Sequence, residues 1–130
     1  MNKFFIFLYF SCAFFMTSTH AESMKNCNEL TNEINKEFPA RIDKITTIKS
    51  VFCFEDRKKA NLVYNMSIDL QGAPSMDQKI LNSMRQNISN SLCTDPDFKD
   101  LLQMFPISYS YYFDNGKYIG KLEFSIKQCK

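Results

Sequence analysis

Apolar residues recur along this chain with two different periods, and the switches between them mark the elements. Over Ser23–Phe38 they fall at Cys27, Leu30, Ile34 and Phe38, one face of an amphipathic helix, and Pro39 stops it. Over Ala60–Leu70 the period becomes two. Ala60, Leu62, Tyr64, Met66, Ile68 and Leu70 alternate with polar residues, and only Val63 breaks the polar side, which predicts a half-buried strand. Ile45–Phe54 is a less regular strand, with Ile48, Phe52 and Phe54 on one face and Ile45, Val51 and Cys53 on the other. Between these strands, Glu55-Asp56-Arg57-Lys58-Lys59 carries both signs and suits a solvated hairpin loop.

Gln71-Gly72-Ala73-Pro74 reads as a turn. Ser75-Met76-Asp77-Gln78 then matches a capping box, in which Ser75 and Gln78 satisfy each other's backbone donors. Ile80, Met84, Ile88 and Leu92 form a stripe at steps of four, with Leu81 beside it, so the longest helix is predicted over Met76–Cys93. Asp95-Pro96 starts another helix, Asp95 as cap and Pro96 in its first turn, with Phe98, Leu101, Leu102 and Phe105 as its apolar face. Ile107–Asp114 and Lys117–Lys127 flank Asn115-Gly116, a strong two-residue hairpin signal. That turn would pair Phe113 with Tyr118, Tyr111 with Gly120, Tyr109 with Leu122 and Ile107 with Phe124, leaving Tyr112 outward beside Ile119.

The order α-β-β-α-α-β-β predicts an α+β fold. The expected architecture is a two-layer sandwich, a four-stranded antiparallel sheet of two hairpins with helices on one face.

The N-terminus sets the compartment. Lys3, the apolar run Phe4–Met16 and the small-residue exit Thr19-His20-Ala21 read as a cleaved export signal over residues 1–21. The run is 13 residues long, short of the roughly twenty a spanning helix needs. An uncleaved anchor and a lipid-modified Cys12 are the rival readings; Tyr9-Phe10-Ser11 is too bulky for the latter. Cleavage would leave a single domain, 22–130, with no further membrane span and a periplasmic or secreted address. Only Lys3 is lost among the charged residues, so 15 basic face 14 acidic residues. Near-neutrality implies no nucleic-acid partner.

Export also filters the chemistry. Cys27, Cys53, Cys93 and Cys129 remain, an even set in a small exported chain, which favours two disulfides. Three connectivities are open. Cys27–Cys53 with Cys93–Cys129 is preferred, because the former would tie the first helix to the adjacent hairpin and the latter the end of the long helix to the end of the last strand. Strict alternation opposes the first bridge, since it sets Cys53 on the face opposite Phe52 and Phe54. The lone His20 leaves with the signal, which removes histidine triads and histidine zinc sites, and the spacing offers no zinc finger or redox CxxC. No phosphate-binding glycine loop exists, and no cofactor or metal is expected. Asp95 and Asp97 could form a carboxylate pair for glycoside hydrolysis, but helix capping explains them better. Tyr109, Tyr111, Tyr112 and Tyr118 could form a stacking platform; alternation assigns all but Tyr112 to the core. Asn65 and Asn87 begin glycosylation sequons that matter only in a eukaryotic secretory pathway.

No catalytic constellation emerges, and the chain reads as a non-enzyme. Its expected role is to bind a protein partner in the cell envelope, as an accessory factor of a pilus, secretion or conjugation system. The alternative is a small inhibitor or immunity-type protein acting through the Glu55–Lys59 loop. Candidate contact residues are Val63, Tyr112 and Ile119 on the helix-free face, and Arg57, Lys58 and Lys59 in the loop.

Several segments resemble small exported bacterial proteins of unassigned role. They are Arg41–Ile48, Leu62-Val63-Tyr64, Cys93 with Asp95-Pro96, Tyr111–Gly116 and the terminal Cys129. The resemblance implies an envelope location and a Cys93–Cys129 link. It brings no active site with it.

Overall fold

The computed structural model describes residues 20–57 and 59–129. The export signal therefore lies outside the described residues, save for the backbone of its last two, and so does Lys58. Helix α1 (His20–Ile34) continues into a 3₁₀ turn (Asn35–Glu37). The strands β1 (Ala40–Arg41), β2 (Thr46–Asp56) and β3 (Lys59–Ile68) follow. Helices α2 (Gln78–Thr94) and α3 (Pro96–Met104) lead to β4 (Ile107–Phe113), β5 (Tyr118–Phe124) and a closing 3₁₀ turn (Ile126–Cys129).

Among the described residues the strands form one five-stranded sheet in the order β1-β2-β3-β4-β5. Every neighbouring pair is antiparallel except the central one, β3 with β4, which is parallel from Leu62↔Ile107 to Ile68↔Phe113. The expected four-stranded antiparallel sheet is thus corrected to a five-stranded mixed one within an α+β fold. The reason lies between the hairpins. A parallel pair needs a long crossover, and α2 with α3 supplies it, returning the chain to the end of the sheet where β3 began. The extra strand β1 is too short to leave a period in the sequence.

One face of the sheet is buried. Ala60, Leu62, Tyr64, Met66 and Ile68 of β3 face inward with Ile107, Tyr109, Tyr111 and Phe113 of β4. α1 packs on β2 and β3, and α2 packs on β5. On β2, a bulge between Ile48 and Ser50 inserts Lys49. The residues after it change sides, so Ile48 and Val51 are both buried while Phe52 and Phe54 stand exposed on the helix-free face. The bulge also removes the obstacle that strict alternation set for Cys53. In the structure Cys27 of α1 and Cys53 are bonded, and Cys93 is bonded to Cys129.

The β4–β5 hairpin departs from its expected register at the turn. Gly116 N–H donates to the Phe113 carbonyl and Phe113 N–H to the Lys117 carbonyl, both at 2.8 Å. Gly116 has φ +92°, so the loop is a three-residue type I turn ending in a left-handed glycine. The added loop residue sets Tyr118 opposite Tyr112 rather than Phe113. A second irregularity at Ile119 restores Tyr111↔Gly120, Tyr109↔Leu122 and Ile107↔Phe124. Tyr118 is therefore exposed instead of buried. The charged segment between β2 and β3 is corrected as well. Both strands run on to the Asp56↔Lys59 pair, and Arg57, at φ +50°, follows β2 as a turn residue.

α2 begins two residues later than its capping box suggests. Asp77, not Ser75, caps it, accepting from Ile80 N–H at 2.9 Å. Gln78 is then free to reach β5. Its Oε1 accepts from Lys121 N–H at 2.8 Å and its Nε2 donates to the Lys121 carbonyl at 2.9 Å. Gly120 makes this approach possible. A Cβ there would lie 2.9 Å from Gln78 Cδ and 3.2 Å from Leu81 Cδ1. Gly120→Ala is expected to displace the amide and to cost about 1–3 kcal/mol, read as a lower urea midpoint.

Candidate functional site

The two helical units leave part of the sheet uncovered. α1 lies over β2 and β3 and α2 over β5, so their axes are separated by about two and a half strand spacings, roughly 12 Å. Helices in contact pack at about 8–10 Å. The difference opens a groove of about 550 Å³ on the helix-bearing face. That is within the range of about 300–1,000 Å³ typical of ligand pockets.

Ile48, Met66, Tyr109 and Tyr111, from three adjacent strands, form its floor. Met84, Asn87, Ile88 and Ser91, at the three- and four-residue steps that share one face of α2, form one wall, with Asp95 just past the helix end. Ile34, Phe38 and the 40–43 segment before β2 form the other. This second wall is held by hydrogen bonds. Asp43 Oδ1 accepts from Ile45 N–H at 2.9 Å and Thr46 N–H at 2.7 Å, and Arg41 donates to the Lys44 carbonyl. The Asn35 amide spans the base of α1 and the edge of β2, with both its bonds to the Val51 backbone at 2.8 Å.

The groove is apolar at its floor and polar at its lips. Burial raises the phenol pKa of Tyr109 and Tyr111 above the ordinary value, and Asp43 adds to the effect on Tyr111, so both remain neutral hydroxyls at physiological pH. The carboxylates along it are already engaged: Asp43 closes its turn, and Asp95 Oδ1 caps α3 through Asp97 N–H at 2.9 Å. Burial, with Asp95 and Asp100 nearby, raises the pKa of Asp97. Among the described residues no group of three or more His, Cys, Asp or Glu could hold a metal. This arrangement suits apolar contact with hydrogen bonds at the rim.

Behind the floor, Tyr64 is fully buried, edge-on to Tyr109 at 5.5 Å, and its hydroxyl has no hydrogen-bond partner. A buried hydroxyl without a partner costs about 1–3 kcal/mol. Tyr64→Phe is therefore expected to leave the urea midpoint unchanged or raise it, the reverse of the usual cost of altering a core residue.

The contact residues suggested by the sequence fall elsewhere. Tyr112 stacks edge-on with Tyr118, ring centres 5.3 Å apart, at one corner of the helix-free face. Val63 pairs with Phe52 on the same face but lies four residues along β3 from Ser67, the neighbour of Tyr112, a distance of roughly 13 Å. Ile119 packs partly against the core. Val63 thus stands apart from Tyr112 on that face, and Ile119 is half-buried. Arg57 sits at the distant β2–β3 turn beside Lys59, and Lys58 lies outside the described residues. The groove itself left one trace in the sequence. α2 carries apolar residues beyond the buried Leu81: Met84 and Ile88 are only half-buried and, with the buried Leu92, line the groove.

The class that this architecture defines is a helix-covered mixed sheet found in exported bacterial proteins. A Pseudomonas aeruginosa protein assigned as secreted superposes with a TM-score of 0.70 at 18% identity, over 88% of this chain and 99% of its own. The Vibrio vulnificus type 2 secretion system pilotin EpsS gives 0.66 at 10% identity, over 85% and 94%. The Vibrio cholerae type II secretion system pilotin AspS gives 0.58 at 13%, over 86% and 100%. No protein-family model and no curated protein sequence matches the chain. At these identities the likeness establishes the fold. A periplasmic or secreted location is consistent with all three neighbours. Among the described residues no helix is long and apolar enough to cross a membrane.

Proposed function

We propose that this chain is a non-enzymatic accessory factor of a bacterial secretion system, and that it acts by binding another protein of the cell envelope. The observation that carries this reading is the groove between α1 and α2, an apolar trough with a polar rim. It seats an apolar segment of the partner, whose side chains replace water over Met66, Met84, Ile88 and the tyrosine floor. Burying one Leu-sized side chain there contributes about 1.5–3 kcal/mol, so two or three anchors support specific binding. The pilotin fold of two neighbours supports the assignment to secretion.

Ile88 is half-buried in the groove wall, and a charge there would face the seated segment. Ile88→Glu is expected to weaken co-purification of the partner from native envelopes at least tenfold, about 1.4 kcal/mol. Phe54→Glu, on the opposite face, is expected to leave it unchanged. Equal loss in both variants, or none in Ile88→Glu, would contradict the groove as the binding site.

A further inference from the structure

We propose that Gln78 and Arg85 plug the outer edge of β5, an edge otherwise built to pair with β5 of a second copy of this chain. β5 is the last strand of the sheet, and its outward backbone groups are a template for another strand. Gln78 occupies them as a neighbouring strand would, with one bond to the N–H and one to the carbonyl of Lys121. Arg85, two turns along α2, donates to the Glu123 carbonyl at 2.9 Å. The missing side chain at Gly120 gives the amide its room.

What lies beneath the plug is self-complementary. Because Lys121 and Glu123 bond outward to α2, their backbone groups both point away from β4. A second β5 laid antiparallel about Leu122 would place Lys121 opposite the other copy's Glu123, and the reverse. Those are the hydrogen-bonded positions of the new ladder, and each sets a cation against an anion. Within one chain the two side chains form an exposed ion pair at 3.5 Å, which the dimer would exchange for pairs across the new ladder. The opposite edge of the sheet bears the same device, Asn35 on Val51, but there β1 covers part of the strand.

The test compares the wild-type chain with Gln78→Leu/Arg85→Leu by sedimentation equilibrium at micromolar concentrations. The wild type is expected to be monomeric and the variant to dimerise. The Glu123 amide of the variant should gain exchange protection that rises with concentration. Adding Lys121→Glu should abolish the dimer, and adding Glu123→Lys to that should restore it. A folded double variant that stays monomeric, a dimer indifferent to the charge reversal, or a wild type already paired through β5 would overturn the proposal. If the double variant does not fold, Gln78→Ser/Arg85→Ser, with shorter polar side chains that cannot reach β5, serves in its place. It removes the edge bonds of both residues at once; the same charge-dependent dimer is expected, and a folded monomer overturns the idea.

Discussion

Reduction of both disulfides is expected to unfold this protein at neutral pH. Cys27–Cys53 spans 26 residues and Cys93–Cys129 spans 36. Closing loops of that size removes unfolded-state entropy equivalent to about 3.5 and about 4 kcal/mol. The sum, about 7 kcal/mol, rivals the entire net stability of a typical small domain, about 5–15 kcal/mol. The bridges also hold the walls of the groove. The first ties α1 to β2, and the second ties the end of α2 to the C-terminal turn. Cys27→Ala/Cys53→Ala and Cys93→Ala/Cys129→Ala are each expected to lower stability by about 3–4 kcal/mol in urea titrations followed by circular dichroism. Adding a reductant to the wild type should produce both losses at once. A shift below about 1 kcal/mol for either pair would show that the core alone holds the fold.

Alkali is expected to unfold the protein more steeply than the loss of a surface charge could. Tyr64, Tyr109 and Tyr111 are buried, and burial raises all three phenol pKa values above the unfolded value of about 10. A raised folded pKa means the native state keeps its protons after the unfolded chain has released them. The stabilisation from these groups is therefore complete below about pH 10 and is lost as the pH climbs toward the folded values. Each tyrosine contributes a slope of about 1.4 kcal/mol per pH unit, and three together about 4. Urea midpoints should be flat up to about pH 9 and fall sharply by about pH 11, with the phenolate absorbance of the three buried rings appearing together with unfolding. Tyr64→Phe should flatten the slope by about a third. In the signal-free chain carrying Tyr112→Phe and Tyr118→Phe, which removes the solvent-facing phenols, phenolate absorbance that rises in that range while the circular dichroism stays native would contradict the burial of these rings.

The elements were legible where one short period governed them. Alternation from Ala60 to Ile68 announced β3, and Asp95-Pro96 announced α3, whose first turn is capped by Asp95 as its residue types require. The pairings Tyr111↔Gly120, Tyr109↔Leu122 and Ile107↔Phe124 could be counted back from the turn, because the offsets at the loop and at Ile119 cancel. What could not be read depended on single insertions or on distant segments. Lys49 carries no mark of a bulge, yet it decides which side of the sheet Cys53, Phe52 and Phe54 face. The parallel β3–β4 contact is set by how the crossover packs, and no local period encodes strand order. The groove is assembled from α1, β1, three strands and α2, so no window of sequence contains it. Gln78 fits a capping box by type and spacing, but a backbone 43 residues away offers its amide two bonds instead.

We place the partner in the groove and not on the helix-free face. A photo-crosslinking residue placed at Met84 and, separately, at Phe54 tests this in the native envelope. Met84 lines the groove, while Phe54 stands exposed on the opposite face. A discrete adduct with a secretion-system protein is expected from Met84, lost when Ile88→Glu is added, and none from Phe54. An adduct from Phe54 alone, or one from Met84 that survives Ile88→Glu, would rule out the groove as the partner's seat.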